Sequence, residues 1–535
     1  MTTVPTSAVG TLVDPQPRVA APPSGRGPAP RWLWVPVVLV LAPGIVPLVG
    51  LVTRVFGATD DAIALAMSSR TVALLGNTVV LIVLVTISAA AVGVAAAWLT
   101  ERTDLRGARV WRVLAALPLV IPSYVIGMTF VSAFGPTGLI SSATGWSMPS
   151  LIGLPGAWAA LTVSTYPFVY LTVAAALRRL DPAHEDAARG LGAPANRVFR
   201  TIVLPQLRPA LAAGSLLVAL YTLSDFGAVS LARYDAFTRV IYAQYAGRLD
   251  RTPAAVLALI LLLLALIIVA AERATRGRAA YHSKAPQRPA RVTTLRPASR
   301  LGATTFLTLL ALISLAVPIA TLVSWVARSS QAITIPWGAM GGSLTASSLA
   351  ALVAMAAALP LGVLISRHAS RPTAWAERVS YTTFALPHIT VGLGMVFIAS
   401  RYLGGLYQSL TLLVLVYASI FFAQALGPVR ASLIQVSPSL DQASRSLGAG
   451  PWRTFRRITL PLARRGLVAG GLLVFLTAMK ELPATLFLRP TGFDTLAVRI
   501  WSAADNLLYS RAAVAALLLL AVSAIPMYVL TARDR

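Results

Sequence analysis

Two polar strings interrupt the apolar stretches of this chain at matching places. One is Ser224-Asp225-Phe226-Gly227 and the other is Lys480-Glu481-Leu482-Pro483, with Asp225 and Glu481 separated by 256 residues. Carboxylates inside an apolar helix are costly, and they mark ion or proton pathways by default. Lys480 is one of only two lysines against 43 arginines. A Lys480–Glu481 neighbour pair can line a pathway or gate, or it can be a snorkelling pair that fixes the depth of its helix. Asp225 lies 20 residues beyond Pro205, about 30 Å along a helix. That spacing predicts a position near the outer membrane boundary, and the same holds for Glu481. Tyr221 precedes the first string, and Tyr234, Tyr242 and Tyr245 follow it. Tyrosine and carboxylate oxygens suit a hard cation, but interfacial tyrosines also anchor helices. No two of His184, His282, His368 and His388 have metal-ligand spacing, so no metal ligands are assigned.

The elements that must position these residues follow from composition. The chain has 535 residues, 57% hydrophobic and 12% charged, with mean hydropathy +0.75. Soluble domains carry roughly 25% charged residues. The expected fold class is therefore an all-α integral membrane protein. Twelve apolar stretches suit spans, near 33–53, 72–99, 113–132, 151–177, 205–230, 254–271, 304–325, 343–366, 380–400, 409–429, 461–487 and 512–531. With both termini cytoplasmic and the spans alternating, 33 of the 45 Lys and Arg fall in or beside cytoplasmic segments. This is the asymmetry that cytoplasmic loops acquire, so the net charge of +27 needs no nucleic-acid partner. Cysteine is absent, which excludes disulfides and thiolate chemistry.

One hydrophilic segment occurs twice. Residues 181–205 read DPAHEDAARGLGAPANRVFRTIVLP and residues 437–461 read SPSLDQASRSLGAGPWRTFRRITLP, with 12 of 25 positions identical and no gap. Asp181 or Ser437 can cap a helix whose first position is Pro182 or Pro438. Glu185 and Asp186, or Asp441 and Gln442, fall in or near its first turn, where negative charge is favoured. Gly190 and Gly192, or Gly448, can close it. A second short helix carrying Arg197 and Arg200, or Arg453 and Arg456, then leads to Pro205 or Pro461, where the chain re-enters the membrane. A basic loop lying on lipid headgroups explains one copy less well than two.

At these residues the chain resembles the inner-membrane permeases of binding-protein-dependent ABC importers. Their motif is Glu-Ala-Ala, three residues, Gly, nine residues, then Ile-x-Leu-Pro. Here it reads Asp186-Ala187-Ala188, Gly192 and Ile202-Val203-Leu204-Pro205, then Gln442-Ala443-Ser444, Gly448 and Ile458-Thr459-Leu460-Pro461. The resemblance implies that these segments are coupling helices for a separate ATP-hydrolysing subunit, two copies of which would match the two segments. It also implies an external substrate-binding protein. The family's first Glu is replaced by Asp186 and Gln442, each preceded by an acid, Glu185 or Asp441. No G-x-x-x-x-G-K-[ST] loop is present, so ATP and magnesium are expected on the partner, and this chain is expected to be a transport subunit without a cofactor of its own. The strings 223–245 and 480–501 look like fused ferric-iron permeases. Thiamine and 2-aminoethylphosphonate permeases share that layout.

The expected organisation is a disordered cytoplasmic tail (1–32), a first permease half (33–272), a basic cytoplasmic linker (273–303) and a second half (304–535). Six spans per half make the repeat parallel. Weaker echoes pair Ala116-Leu117-Pro118 with Ala385-Leu386-Pro387, and Gly76-Asn77 with Gly342-Ser343. The competing reading is an ion-coupled secondary transporter, which accounts for the spans but not for the duplicated segment.

Overall fold

The computed structural model describes residues 30–57, 60–275, 292–330, 332–436 and 438–532. Nearly all of the tail expected at 1–32 and most of the linker expected at 273–303 lie outside these ranges. Among the described residues there is no strand, only one isolated bridge between Thr103 and Thr293.

In chain order the first half carries α1 (Arg31–Phe56), α2 (Ser69–Glu101), the leg α3 (Ala108–Val120) and α4 (Ser123–Ala133), α5 (Leu154–Arg179), and the short α6 (Ala183–Gly190). It continues with α7 (Ala195–Ser224), α8 (Gly227–Leu231), α9 (Phe237–Gly247) and α10 (Thr252–Thr275). The second half carries α11 (Pro297–Ala327), α12 (Trp337–Arg367), α13 (Arg371–Ala385), α14 (His388–Tyr402), α15 (Leu410–Ile420) and α16 (Phe422–Ile434). It ends with α17 (Pro438–Ser446), α18 (Trp452–Met479), α19 (Pro483–Leu488), α20 (Leu496–Asp505) and α21 (Tyr509–Ala532). Among the described residues, nine helices are long and apolar enough to cross a membrane. Three bent pairs, α3–α4, α13–α14 and α15–α16, raise the total to twelve if each pair is one span.

Proline sets the two sharp bends. Pro122 precedes α4 and Pro387 precedes α14, each in extended conformation, a position where the missing N–H costs no helix bond. The legs turn by 96° and 106° there. The matching residues are therefore Pro122-Ser123 and Pro387-His388, not the Ala-Leu-Pro echo. Pro118 lies in a 3₁₀ turn within the first leg. The Gly-Asn and Gly-Ser echo is likewise off by one residue, and it lies within α2 and α12 rather than before them. Thr78 accepts the Phe237 N–H that opens α9 (3.3 Å), and Ser343 accepts the Leu496 N–H that opens α20 (2.7 Å).

Close helix approach replaces hydrophobic driving force inside a bilayer. A β-carbon on Gly93 of α2 would meet Val169 Cβ of α5 at 2.8 Å, so only glycine permits this contact. The halves in space are not the halves in sequence. α1 packs on α14, α15 and α12 of the second half, while α11 packs on α4 of the first. Gly50 of α1 approaches the Gly394 carbonyl and Ile398. Each half thus lends its first helix to the other.

Candidate functional site

The duplicated segments form α6 and α17, joined by turns to α7 and α18. Gly192 and Gly448 adopt φ of +82° and +78°, a conformation open to glycine. Asp181 accepts the Ala183 N–H at 3.0 Å, so α6 begins one residue later than expected, while α17 begins at Pro438. The second short helix of each segment does not stand alone. Residues 195–198 and 451–454 pass through a π-helical turn, Phe199–Val203 or Phe455–Thr459, directly into the following span. Pro205 and Pro461 have no N–H to return to the preceding turn, which frees that turn to widen.

Glu185 does not face outward. It is buried, and Arg102, also buried, donates to it at 2.9 Å. Asp186 and Ala187 are exposed and Ala188 is partly exposed. The side chains of Asp441 and Gln442 lie outside the described residues; Ser444 bonds Thr454 at 2.9 Å. The exposed surface of each segment instead offers a leucine. Leu191 is 90% exposed and Leu447 is 87% exposed, at equivalent positions beside Gly192 and Gly448. These two were visible in the sequence as identities, but no role was read for them.

Arg102 opens a turn that gathers several elements. Its carbonyl accepts the Thr293 N–H at 2.8 Å, and the Thr293 carbonyl accepts the Asp104 N–H at 3.2 Å. Asp104 accepts from the Leu295 N–H at 2.9 Å and from Arg300 at 2.6 Å. Glu101 pairs with Arg112 and Arg178 at 3.2 and 3.0 Å. The end of the inter-half connection is therefore stitched beside the anchor of α6. The Leu295 N–H, followed by Arg300, holds the Asp104 carboxyl below the usual carboxylate range. A carboxyl with a lowered folded pKa stabilises above its unfolded pKa and loses that contribution as pH falls through the folded value. Acidification below about pH 4 should therefore release the stitch. Faster hydrogen exchange at Leu295 in acid, relative to the intrinsic rate, would report it, and Asp104→Asn should remove that pH dependence.

Asp225 and Glu481 close matching joints. Asp225 accepts Ser123 Oγ at the start of α4, and the N–H groups of Ala228 and Val229 at the start of α8 at 2.9 and 3.4 Å. Glu481 meets His388 Nδ1 at the start of α14 (2.8 Å) and accepts the Ala484 N–H at the start of α19 (3.0 Å). Their backbone carbonyls accept Thr238 and Thr485, at 2.6 and 2.7 Å. Each carboxylate staples a broken span to a short helix, inside the bundle. Both carboxylates are buried within the protein, with Asp225 8% and Glu481 5% exposed. Discontinuous helices flanking buried polar groups are where transporters place their cargo paths.

Lys480 does not pair with its neighbour Glu481. Its ammonium donates to the Leu119 carbonyl of the opposite half at 2.7 Å, beside the α3–α4 bend. Tyr221 lies within electrostatic range of both Asp225 and Glu481. The other tyrosines diverge from it. Tyr234 donates to the Asn77 carbonyl at 2.8 Å. Tyr242 and Tyr245 enter an aromatic seam between the halves, with ring centroids 5.2 Å from Trp501 and 4.6 Å from Phe487. The sequence reading gives His388 no ligand role and does not single out Ser123; their place immediately after a bend-forming proline is the available signal. Among the described residues, no three His, Asp or Glu side chains gather closely enough to hold a metal ion.

Two halves that repeat one hydrophilic segment, with broken helices held by buried carboxylates, suit a transport permease of the inner membrane. The chain belongs to the family described as binding-protein-dependent transport system inner membrane component, whose model matches residues 89–272 and 358–535. It is 33% identical to the "Fe(3+)-transport system permease protein FbpB 2" of Haemophilus influenzae, over 94% of this chain and 98% of that protein. It is 27% identical to the "Probable ABC transporter permease protein y4fN" of Sinorhizobium fredii, over 94% of each. A sulfate transport system permease protein, CysW of Synechocystis, is 30% identical over 36% of this chain and 71% of that protein.

Proposed function

We propose that this chain is the fused membrane subunit of a ferric-iron importer, powered by two copies of a separate ATPase subunit docked on α6 and α17. The matched pair of exposed leucines, Leu191 and Leu447, carries the docking reading. A membrane protein that exposes the same large apolar side chain at both copies of a hydrophilic segment is offering two equivalent sockets' worth of contact. The ferric cargo rests on similarity to the iron permease across nearly the full chain. Relatives spanning about a third of it, such as the sulfate permease, weigh less, and thiamine or 2-aminoethylphosphonate is the alternative cargo.

In this reading both termini and both coupling segments face the cytoplasm. A binding protein delivers ferric ion on the opposite side. ATP and magnesium act on the partner subunits, whose closure pushes on α6 and α17. α7 and α18 run without interruption from those segments to Asp225 and to Lys480 and Glu481, so a push at the surface arrives at the stapled joints. Asp186, Ala187, Ala188 and Gly192, with Asp441, Gln442, Ala443, Ser444 and Gly448, form the docking surfaces, and Pro205 and Pro461 lie at the entry to the transmitting helices. Asp225, Lys480 and Glu481 border the path.

Two measurements test this. Uptake of radiolabelled ferric iron under iron limitation should fall on deletion of the gene and return with the intact gene; unchanged uptake in cells with no second iron system would remove iron as cargo. Burying an exposed leucine is worth about 1.5–3 kcal/mol. Leu191→Asp with Leu447→Asp should therefore weaken ATPase association tenfold or more per site, read by co-purification, with the membrane domain still inserted. Full association would sink the docking reading while leaving the cargo untouched.

A further inference from the structure

One cavity is separate from the stapled joints. It has a volume of about 830 Å³ and lies between α2, α7 and α11, walled by Val94, Trp98, Phe199, Leu211, Ala303 and Phe306. Trp98 and Phe199 meet edge to face across one wall, with centroids 4.9 Å apart. α2 and α7 belong to the first half and α11 to the second, so the groove follows the seam where the exchanged helix is laid down. One end reaches the coupling region through Asn196, and the other wall begins at Leu295 and Ser299.

The rim at that end is basic. Arg200 follows Asn196 by one helical turn on α7, and Arg296 caps the start of α11, three residues before Ser299. Both are exposed. An apolar slot in a membrane-spanning bundle, with arginines at its mouth, matches an acyl chain below and a negative headgroup above.

We propose that this groove holds a phospholipid with a net-negative headgroup, wedged between the two halves beside the first coupling segment. The chain's own nearby segment fits poorly as the occupant. Residues 276–291 contain five Lys or Arg and no Val, Ile, Leu or Phe, so they would bring positive charge to a positive rim and little apolar surface to the slot. Residues 1–29 have no apolar run long enough to fill it.

The test is lipid retention by the full-length chain purified in mild detergent, read by native mass spectrometry after exchange into phosphatidylglycerol or phosphatidylcholine. The wild type should keep one phosphatidylglycerol through washing and prefer it to phosphatidylcholine at least tenfold. Arg200→Gln with Arg296→Gln should abolish that preference while leaving acyl occupancy. Gly302 lies on the groove, and a β-carbon there meets nothing within 4 Å. Gly302→Trp should therefore fill the slot and expel the lipid, and Ala91→Phe on the opposite wall should do the same if the first variant fails to insert. Three results would overturn the proposal: equal retention of both lipids by the wild type, unchanged preference in the arginine variant, or cross-links that place residues 276–291 in the slot. Because the readout is bound lipid, it stands or falls independently of which cargo the importer carries.

Discussion

Replacing Arg102 with methionine is expected to be among the most damaging single changes outside the cargo path. Both members of the Arg102–Glu185 pair are buried, at 1% and 5% side-chain exposure. Removing the cation leaves Glu185 charged, dehydrated and unpaired, a change that costs about 3–5 kcal/mol in buried pairs. The loss falls on α6, because Glu185 is the residue that holds this helix against the end of α2. The variant should insert and retain its transmembrane bundle yet lose ATPase association at the first segment. Proteolysis near residues 183–192 should accelerate markedly. Glu185→Leu combined with Arg102→Met should recover much of the lost stability, since replacing both charges removes the penalty that a single replacement creates. If the single variant matched wild type in thermal unfolding and co-purification, the anchoring role of the pair would be wrong.

The second large effect is expected at the joints. Asp225→Ala removes the acceptor for three donors, Ser123 and the Ala228 and Val229 N–H groups. Each hydrogen bond to a charged group is worth about 1.5–3 kcal/mol, so the α4–α8 joint should loosen and transport should fall by at least tenfold. Asp225→Asn keeps an acceptor oxygen but not the charge, and should hold the fold while impairing transport. Glu481 is faced by His388, an imidazole where the first joint has a hydroxyl. Glu481→Gln should therefore behave differently from Asp225→Asn. Uptake measured in parallel with thermal stability separates the two roles: lost transport with retained stability places a carboxylate on the path, whereas equal losses make it a staple alone. Wild-type uptake by both amide variants would remove both carboxylates from the path.

Much of this architecture was legible in the sequence because duplication leaves a pattern that chemistry has to explain. The gapless 256-residue offset led directly to α6 and α17, and the same offset located Asp225 and Glu481. The joints were harder to see because their other halves sit at an offset of 265 and differ in type. Ser123 and His388 both bond a carboxylate at a helix start, yet nothing in their chemistry marks them as counterparts. Proline gave the better signal, and the Ala-Leu-Pro match drew attention to Pro118 in place of Pro122. Arg102 and Glu185 are 83 residues apart, and no periodicity links them. Nor could the sequence show where α1 packs. An almost uniformly apolar helix, with mean hydropathy 2.5, carries little amphipathic pattern to name its neighbour.

The exchange of first helices has a consequence for biogenesis. α1 leaves the ribosome before any other helix described here, but the surface it finally covers, around Gly394 and Ile398, is translated roughly 340 residues later. At ~5–20 residues per second, α1 waits on the order of 20–70 s for its resting place. Until α10, against which it also packs, is made, it must survive in lipid as a solitary spanning helix, which its lack of charge between Trp34 and Thr53 allows. The nascent first half meanwhile lacks α11, which packs on α4. The two halves are consequently poor candidates for sequential, independent maturation: the N-terminal half is completed by the C-terminal half, and closure of the whole molecule is a late event of synthesis.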